Sequence, residues 1–169
     1  MRLLTILLLC LTSTVMARGT YQEPASFIND VFQGSPPKAK RLWITKSLRG
    51  TVTEILGHKP SSLRIRYWGK DTQTAWVLEE IGKEKPITVG LVVRDNKIQR
   101  IKVLIFRESR GWEVRHDFFT KQFKGLALTS SQTLTKPIDG ISGATLSVRA
   151  LTKLSRLALY LHQQTDFSK

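Results

Sequence analysis

Residues 87–106 read ITVGLVVRDNKIQRIKVLIF, two apolar runs on either side of a turn. The runs 87–93 and 98–106 are rich in valine and isoleucine, which favour strands. Asp95-Asn96 between them provides good turn chemistry. The second run does not alternate perfectly between apolar and polar residues, and this favours a β-bulge near Gln99-Arg100. The stretch therefore predicts two antiparallel strands joined by a tight turn.

Upstream of this pair, the pattern predicts two more strands and, before them, two helices. Alternation over 63–68 and an apolar run over 75–81 predict the strands. Pro24 is well suited to open the first helix, which Gly34-Ser35-Pro36-Pro37 would end. The second helix is expected over about 47–56. Residues 18–60 are interpreted as a helical N-terminal segment and residues 61–169 as the main domain.

Downstream of residue 106, helix is predicted near 112–123 and again, after a polar loop, over about 144–163. The last helix carries an apolar stripe with helical spacing, formed by Val148, Leu151, Leu154, Ala158 and Leu161. The order is helices, then an antiparallel sheet, then helices. This order predicts an α+β fold that ends in a long C-terminal helix.

The N-terminus has the pattern of a secretory signal. A short positive end, Met1-Arg2, precedes an almost wholly apolar run over 3–11. The small side chain of Ala17 suits a cleavage site, so residues 1–17 are predicted to be a signal peptide and the protein to be exported, most consistently to a bacterial periplasm. An uncleaved N-terminal anchor is the alternative. Cleavage would remove Cys10, the single cysteine, and with it any thiol catalysis or cysteine-ligated metal.

The chain is strongly basic, with a formal net charge of +14. Its lysines and arginines are spread along the sequence and accompany no zinc finger or RNA-binding motif, so nucleic acid is not the expected partner. A solvated basic surface is the simplest interpretation, and an anionic membrane surface or an acidic redox partner is the alternative. The three histidines show no metal-ligand spacing, and no metal site is predicted.

The segment Asp139-Gly140-Ile141-Ser142-Gly143-Ala144-Thr145 joins a glycine-containing turn to the start of the long helix. Glycines permit backbone conformations and close approaches that other residues resist. The unpaired N–H groups and dipole of a helix N-terminus favour phosphate, beside which Thr145 would place a hydroxyl. On spacing alone, simple capping of the helix by Ser142 is the more economical interpretation.

The segment resembles the flavinylation motif of the FMN-binding domain family, which includes the C subunit of the sodium-pumping NADH:quinone oxidoreductase and the G subunit of the Rnf complex. The motif is an acidic residue, two variable residues, Ser or Thr, Gly, Ala, and Thr or Ser. It is matched in full by Asp139, Ser142, Gly143, Ala144 and Thr145. The resemblance implies that Thr145 carries FMN through a phosphoester bond. It also implies attachment by a flavin transferase outside the cytoplasm, to whose recognition Asp139 contributes.

A second resemblance lies upstream, where members of the family often carry Glu-Thr-Pro-Gly-Leu-Gly followed by an aromatic residue and Gln-Phe-x-Gly. Glu108 and Gly111 match the first part, whereas Arg110, Trp112 and Glu113 depart from it. The second part is matched by Phe119, Gln122, Phe123 and Gly125. The family's loop contacts the flavin, so Trp112 either packs on the isoalloxazine or fills the core. The resemblance thus implies a cofactor site made of Glu108, Gly111, Trp112, Asp139, Gly140, Ser142, Gly143, Ala144 and Thr145.

The function implied by the resemblance is that of an exported electron carrier with covalent FMN, without catalytic residues of its own. The expected partners are the flavin transferase and an unidentified electron donor and acceptor, membrane-bound or a cytochrome. Two alternatives remain. The first is a noncovalent flavin-binding module that uses Thr145 as a phosphate-binding hydroxyl. The second is a cofactor-free basic adaptor at a membrane or wall.

Overall fold

The computed structural model describes residues 19–169, so the predicted signal peptide lies outside the described residues. Its strands are β1 (Gly19–Thr20), β2 (Lys40–Trp43), β3 (Arg64–Lys70), β4 (Gln73–Ile81), β5 (Pro86–Arg94) and β6 (Lys97–Phe106). Its α-helices are α1 (Pro24–Val31), α2 (Lys46–Leu56), α3 (Asp117–Thr120) and α4 (Thr145–Gln163). Short 3-10 helices span Trp112–Arg115, Lys121–Phe123 and Asp166–Ser168. Across residues 19–169, no helix has the length and apolar character that a membrane span requires.

The six strands form one antiparallel sheet in the order β1-β6-β5-β4-β3-β2, which confirms the predicted α+β class. The predicted bulge is also confirmed, because Val92 pairs with Arg100 and Val93 with Ile98, which leaves Gln99 as an extra residue. A second register shift, between Thr88 and Val89, places the consecutive residues Leu104 and Ile105 against the same cluster. These two shifts explain why the apolar residues of β6 do not alternate.

The two faces of the sheet are covered unequally. On one face α4 and α2 pack against the strands and enclose the main core, in which Trp76, Leu91, Leu151 and Leu154 are fully buried. On the other face α1 covers a smaller cluster around Phe27. The apolar stripe predicted for the C-terminal helix is therefore the surface that holds α4 on the sheet.

Three elements differ from the sequence-based predictions. Strands β1 and β2 both lie in the segment 18–60, where only helices were expected. Strand β1 has two residues, and Leu42 is the one buried residue of β2, so these edge strands have little strand pattern. The helix predicted over 112–123 is divided into three short pieces. The first break occurs because His116 is extended, with φ −77° and ψ 151°, and interrupts the helical path between Arg115 and Asp117. The third piece follows the second directly, where the α-helix becomes a 3-10 helix at Lys121.

Candidate functional site

The start of α4 lies beside a cleft of about 530 Å3, referred to here as the α4 cleft. Three separate parts of the chain line it: the β4–β5 turn, the segment after β6, and the turn that opens α4. The lining residues are Lys83, Glu108, Ser109, Arg110, Gly143, Ala144, Thr145, Leu146 and Ser147. The two segments that carry the sequence motifs are therefore adjacent in the fold.

The N-terminus of α4 lacks a side-chain cap. Ala144 is the N-cap residue, and no side chain accepts a hydrogen bond there, so the capping by Ser142 that spacing suggested is not made. The amides of the first turn have no acceptor within the helix. Gly143 has φ +79°, a left-handed conformation that favours glycine, whereas Gly140 does not share it. The turn thus places the uncapped N-terminus of α4 at the edge of the cleft.

Thr145 and Ala144 have opposite environments at this turn. Thr145 is the first residue of α4, is exposed, and lines the cleft. Ala144 is only 2% exposed and packs in the main core, which fixes the turn against the sheet. Thr145 is therefore exposed directly after a residue that is anchored in the core.

Three of the predicted site residues, Asp139, Gly140 and Ser142, are exposed and lie outside the lining of the cleft. The backbone N–H of Asp139 donates to Oε1 of Gln122 at 2.8 Å. Gln122 belongs to the second sequence resemblance, and its amide side chain ties the 3-10 helix 121–123 to the turn before α4. The backbone of Asp139 is thereby fixed, and Asp139 is exposed on the turn that precedes α4.

Glu108 is buried and holds the β4–β5 turn in place. Its Oε1 accepts hydrogen bonds from the backbone N–H groups of Lys83, Glu84 and Lys85 at 2.5, 2.7 and 2.9 Å. Burial raises the pKa of Glu108, but these three hydrogen bonds and the charge of Lys83 outweigh it, so the pKa lies below its ordinary value. Glu108 is therefore a charged carboxylate whose contacts position Lys83 at the cleft edge.

Gly111 allows the segment after β6 to lie directly against the start of α4. Its φ is +83°, and a Cβ at this position would lie 2.5 Å from Oγ of Ser147 and 3.4 Å from Cα of Ala144. Trp112 follows but does not line the cleft. Its partly buried ring packs against the main core, with the Arg115 guanidinium 4.8 Å from its centroid.

The cleft carries a net positive charge because Lys83, Arg110 and the α4 N-terminus outweigh the single carboxylate of Glu108, which accepts three backbone hydrogen bonds. Lys83 forms an exposed ion pair with Glu84, at 3.6 Å, and such pairs contribute little. Lys83 was not predicted from the sequence to belong to the site, because it lies far upstream of the motif and the β4–β5 turn brings it there. Two cations, an uncapped helix N-terminus and a hydroxyl form a suitable site for a phosphate group.

The comparisons with known proteins agree with this geometry. A family model described as "FMN-binding domain" matches residues 82–160, a range that includes every residue lining the α4 cleft. No curated protein and no solved structure matches the chain. The cleft volume lies within the range of about 300–1,000 Å3 usual for cofactor sites, and its cationic end fits the phosphate of FMN. Residues 82–160 therefore form a domain of the FMN-binding domain family, and this match supports an FMN-binding electron-transfer module.

Proposed function

We propose that this protein is an exported electron carrier that holds FMN as a phosphoester on Thr145. The observation that supports the proposal best is the position of Thr145. Thr145 is an exposed residue and the first of an uncapped helix, and it lines a cleft that Lys83 and Arg110 also line. The N-terminal signal pattern supports export.

In the proposed ester, Oγ of Thr145 replaces one hydroxyl oxygen of the FMN phosphate, so the Thr145 O–H bond and one P–O bond break, and the proton and the hydroxyl leave as water in the net reaction. The chain gains the mass of FMN less that of water. The free N–H groups of the first α4 turn, with Lys83 and Arg110, would hold the charge that remains on the phosphate. Asp139, exposed on the turn, would be a contact for the flavin transferase.

When bound, FMN supplies the redox chemistry, and the protein supplies binding, orientation and electrostatics. No residue of the α4 cleft is assigned a catalytic role. The proposed partners are a donor and an acceptor outside the cytoplasm, membrane-bound or a cytochrome. An ester bond would keep the cofactor from being lost to a dilute exterior.

The test is to co-express the full chain with a flavin transferase in an exporting host and measure the intact mass of the purified protein. We expect one FMN less water on the mature chain and flavin fluorescence on the denatured band. Thr145→Ala removes the ester oxygen and should abolish both signals, whereas Thr145→Ser keeps a hydroxyl. Ser131→Ala is the matched control, since Ser131 is an exposed hydroxyl residue of the polar loop before the turn, outside both the motif and the cleft lining.

The outcomes separate the alternatives. If flavin stays attached to the Thr145→Ala protein after denaturation, the ester is on another residue. A yellow native protein that loses all flavin on denaturation would support the noncovalent module. A colourless protein of unmodified mass from a properly exported sample would favour the cofactor-free adaptor.

A further inference from the structure

A second cleft, of about 250 Å3, lies between β6 and the short helices that follow it; it is called the basic cleft here. Five of its side chains are cationic and one is acidic. The lining residues are Gln99, Arg100, Ile101, Lys102, Arg115, Asp117, Thr120, Lys121 and Lys124. The charge of the lining therefore strongly favours a negatively charged partner.

The basic cleft is connected to the α4 cleft by one short 3-10 helix. Gly111, immediately before that helix, lies against Ser147 and Ala144 at the start of α4. Arg115, its last residue, lines the basic cleft. A 3-10 helix rises about 2 Å per residue, so the two ends of this connection are about 8 Å apart. A partner seated on the basic cleft would thus be close to a flavin in the α4 cleft.

The positive charge of the basic cleft is only weakly compensated. Asp117 pairs with Lys121 at 3.8 Å, but both side chains are largely exposed, and such a pair contributes little. The Arg115 side chain hydrogen-bonds to Tyr21, and its guanidinium lies over the rings of Tyr21 and Trp112. A carboxylate of a partner would neutralise the exposed cations of this cleft.

An exposed aromatic side chain stands beside the cations. Phe118 is 63% exposed and belongs to α3, whose Asp117 and Thr120 line the basic cleft. The His116 ring stacks on it at 6.1 Å and lies edge-on to Trp112 at 5.3 Å. An aromatic anchor next to arginine and lysine is the composition that protein–protein interfaces favour.

We propose that the basic cleft and Phe118 form the docking surface for an acidic electron-transfer protein that exchanges electrons with the bound FMN. This rests on the proposed function. A small anion fits less well, because small-ligand sites bury most of their ligand, whereas Arg100, Lys121 and Lys124 are exposed. In the exchange a single electron passes between the partner's redox centre and the flavin. The centre that gives the electron is oxidised, the centre that takes it is reduced, and no covalent bond forms or breaks.

The test uses a reduced plant-type [2Fe–2S] ferredoxin, an acidic carrier with a potential of about −400 mV, as the electron donor. Stopped-flow absorbance would follow its oxidation by the flavin-loaded protein at low ionic strength. Binding of oxidised ferredoxin to the same proteins, loaded or unloaded, would be measured by interferometry. The variant is Lys121→Glu/Lys124→Glu. The control, Lys38→Glu/Lys46→Glu, makes the same change in net charge at exposed lysines before β2 and at the start of α2.

We expect the cleft variant to lower the association rate by about tenfold or more at low salt and the control to change it far less. The difference should vanish near 1 M salt, where the screening length is about 3 Å. Phe118→Ser should weaken binding of ferredoxin without changing its salt dependence, because it removes contact area and no charge. Equal effects of the two charge reversals would overturn the proposal.

The flavin content of each sample separates this proposal from the function on which it rests. If no sample carries flavin, the proposed function fails, and ferredoxin binding to the unloaded protein still decides whether the basic cleft docks an acidic protein. Sedimentation with vesicles of anionic phospholipid tests the other anionic surface. Loss of vesicle binding in the cleft variant with unchanged ferredoxin binding would overturn the proposal in favour of a membrane contact.

Discussion

Replacement of Gly111 by alanine tests whether the contact between the segment after β6 and the start of α4 is as close as the structure shows. The added Cβ would lie 2.5 Å from Oγ of Ser147, which is shorter than real contacts of a Cβ, and 3.3 Å from its Cβ, which is tighter than most. Ser147 is buried and cannot move away freely. The substitution must therefore displace the Ser147 side chain, the helix start or the chain after Arg110.

The expected magnitude has two parts. Gly111 has φ +83°, and a left-handed conformation costs a residue with a Cβ about 1–2 kcal/mol. Overpacking a filled site adds about 1–3 kcal/mol. Gly125 is the matched control because its φ is +81° but a Cβ there would meet nothing within 4 Å. Gly111→Ala should thus lower the free energy of unfolding by about 2–5 kcal/mol and Gly125→Ala by about 1–2 kcal/mol.

Urea unfolding of the mature, unloaded protein at neutral pH measures both values. The double variant Gly111→Ala/Ser147→Ala removes the Oγ that lies nearest the new Cβ, so it should recover part of the lost stability. The reasoning is refuted if Gly111→Ala costs no more than Gly125→Ala, since the close approach at α4 would then contribute nothing.

Two further predictions concern buried ionisable groups. Burial lowers the pKa of His162 from 6.5 to about 4. His162 therefore binds its proton at a higher pH in the unfolded chain than in the folded protein. The free energy of unfolding should fall by on the order of 3 kcal/mol as the pH drops from about 6.5 towards 4. Urea unfolding across that range should show it, and a His162→Gln variant with the same slope would contradict it. Glu108→Ala leaves three backbone N–H groups at 83–85 without their acceptor and should cost about 1–3 kcal/mol. Hydrogen exchange of the backbone amides at 83–85 should accelerate more in Glu108→Ala than in Glu108→Gln. Unchanged exchange in Glu108→Ala would exclude the proposal that Glu108 holds the β4–β5 turn in place.

The elements with a strong local period were predictable from the sequence. The β5–β6 pair follows from two β-branched runs around a turn, and even the extra residue Gln99 is visible as a break in the alternation of β6. Helix α4 was expected over 144–163 and spans Thr145–Gln163, because a continuous apolar stripe marks it. Strand β2 was missed because it is an edge strand with one buried side chain, Leu42. Its sequence therefore shows almost no alternation of apolar and polar residues.

The candidate site was predictable only in the part that is local in sequence. The turn before α4 could be recognised because its glycine, its helix start and Thr145 are consecutive. Lys83 could not be assigned, since it reaches the α4 cleft through the hydrogen bonds that Glu108 makes to the β4–β5 turn. The hydrogen-bond partners of a buried carboxylate depend on the tertiary structure. The sequence therefore shows that Glu108 matches a motif but does not show that it binds the backbone of residues 83–85.

The openness of the α4 cleft gives a physical reason why a covalent link would suit this protein. Thr145 and Leu146 are exposed, Leu146 by 39%, so one wall of the cleft faces solvent. A noncovalent cofactor is held mainly by burial of its surface, which such a cleft provides incompletely. The same exposure favours electron exchange, because a docked partner can approach the flavin without a conformational change. An ester at Thr145 would therefore secure the cofactor where burial cannot, and would leave the flavin accessible to a protein seated on the basic cleft.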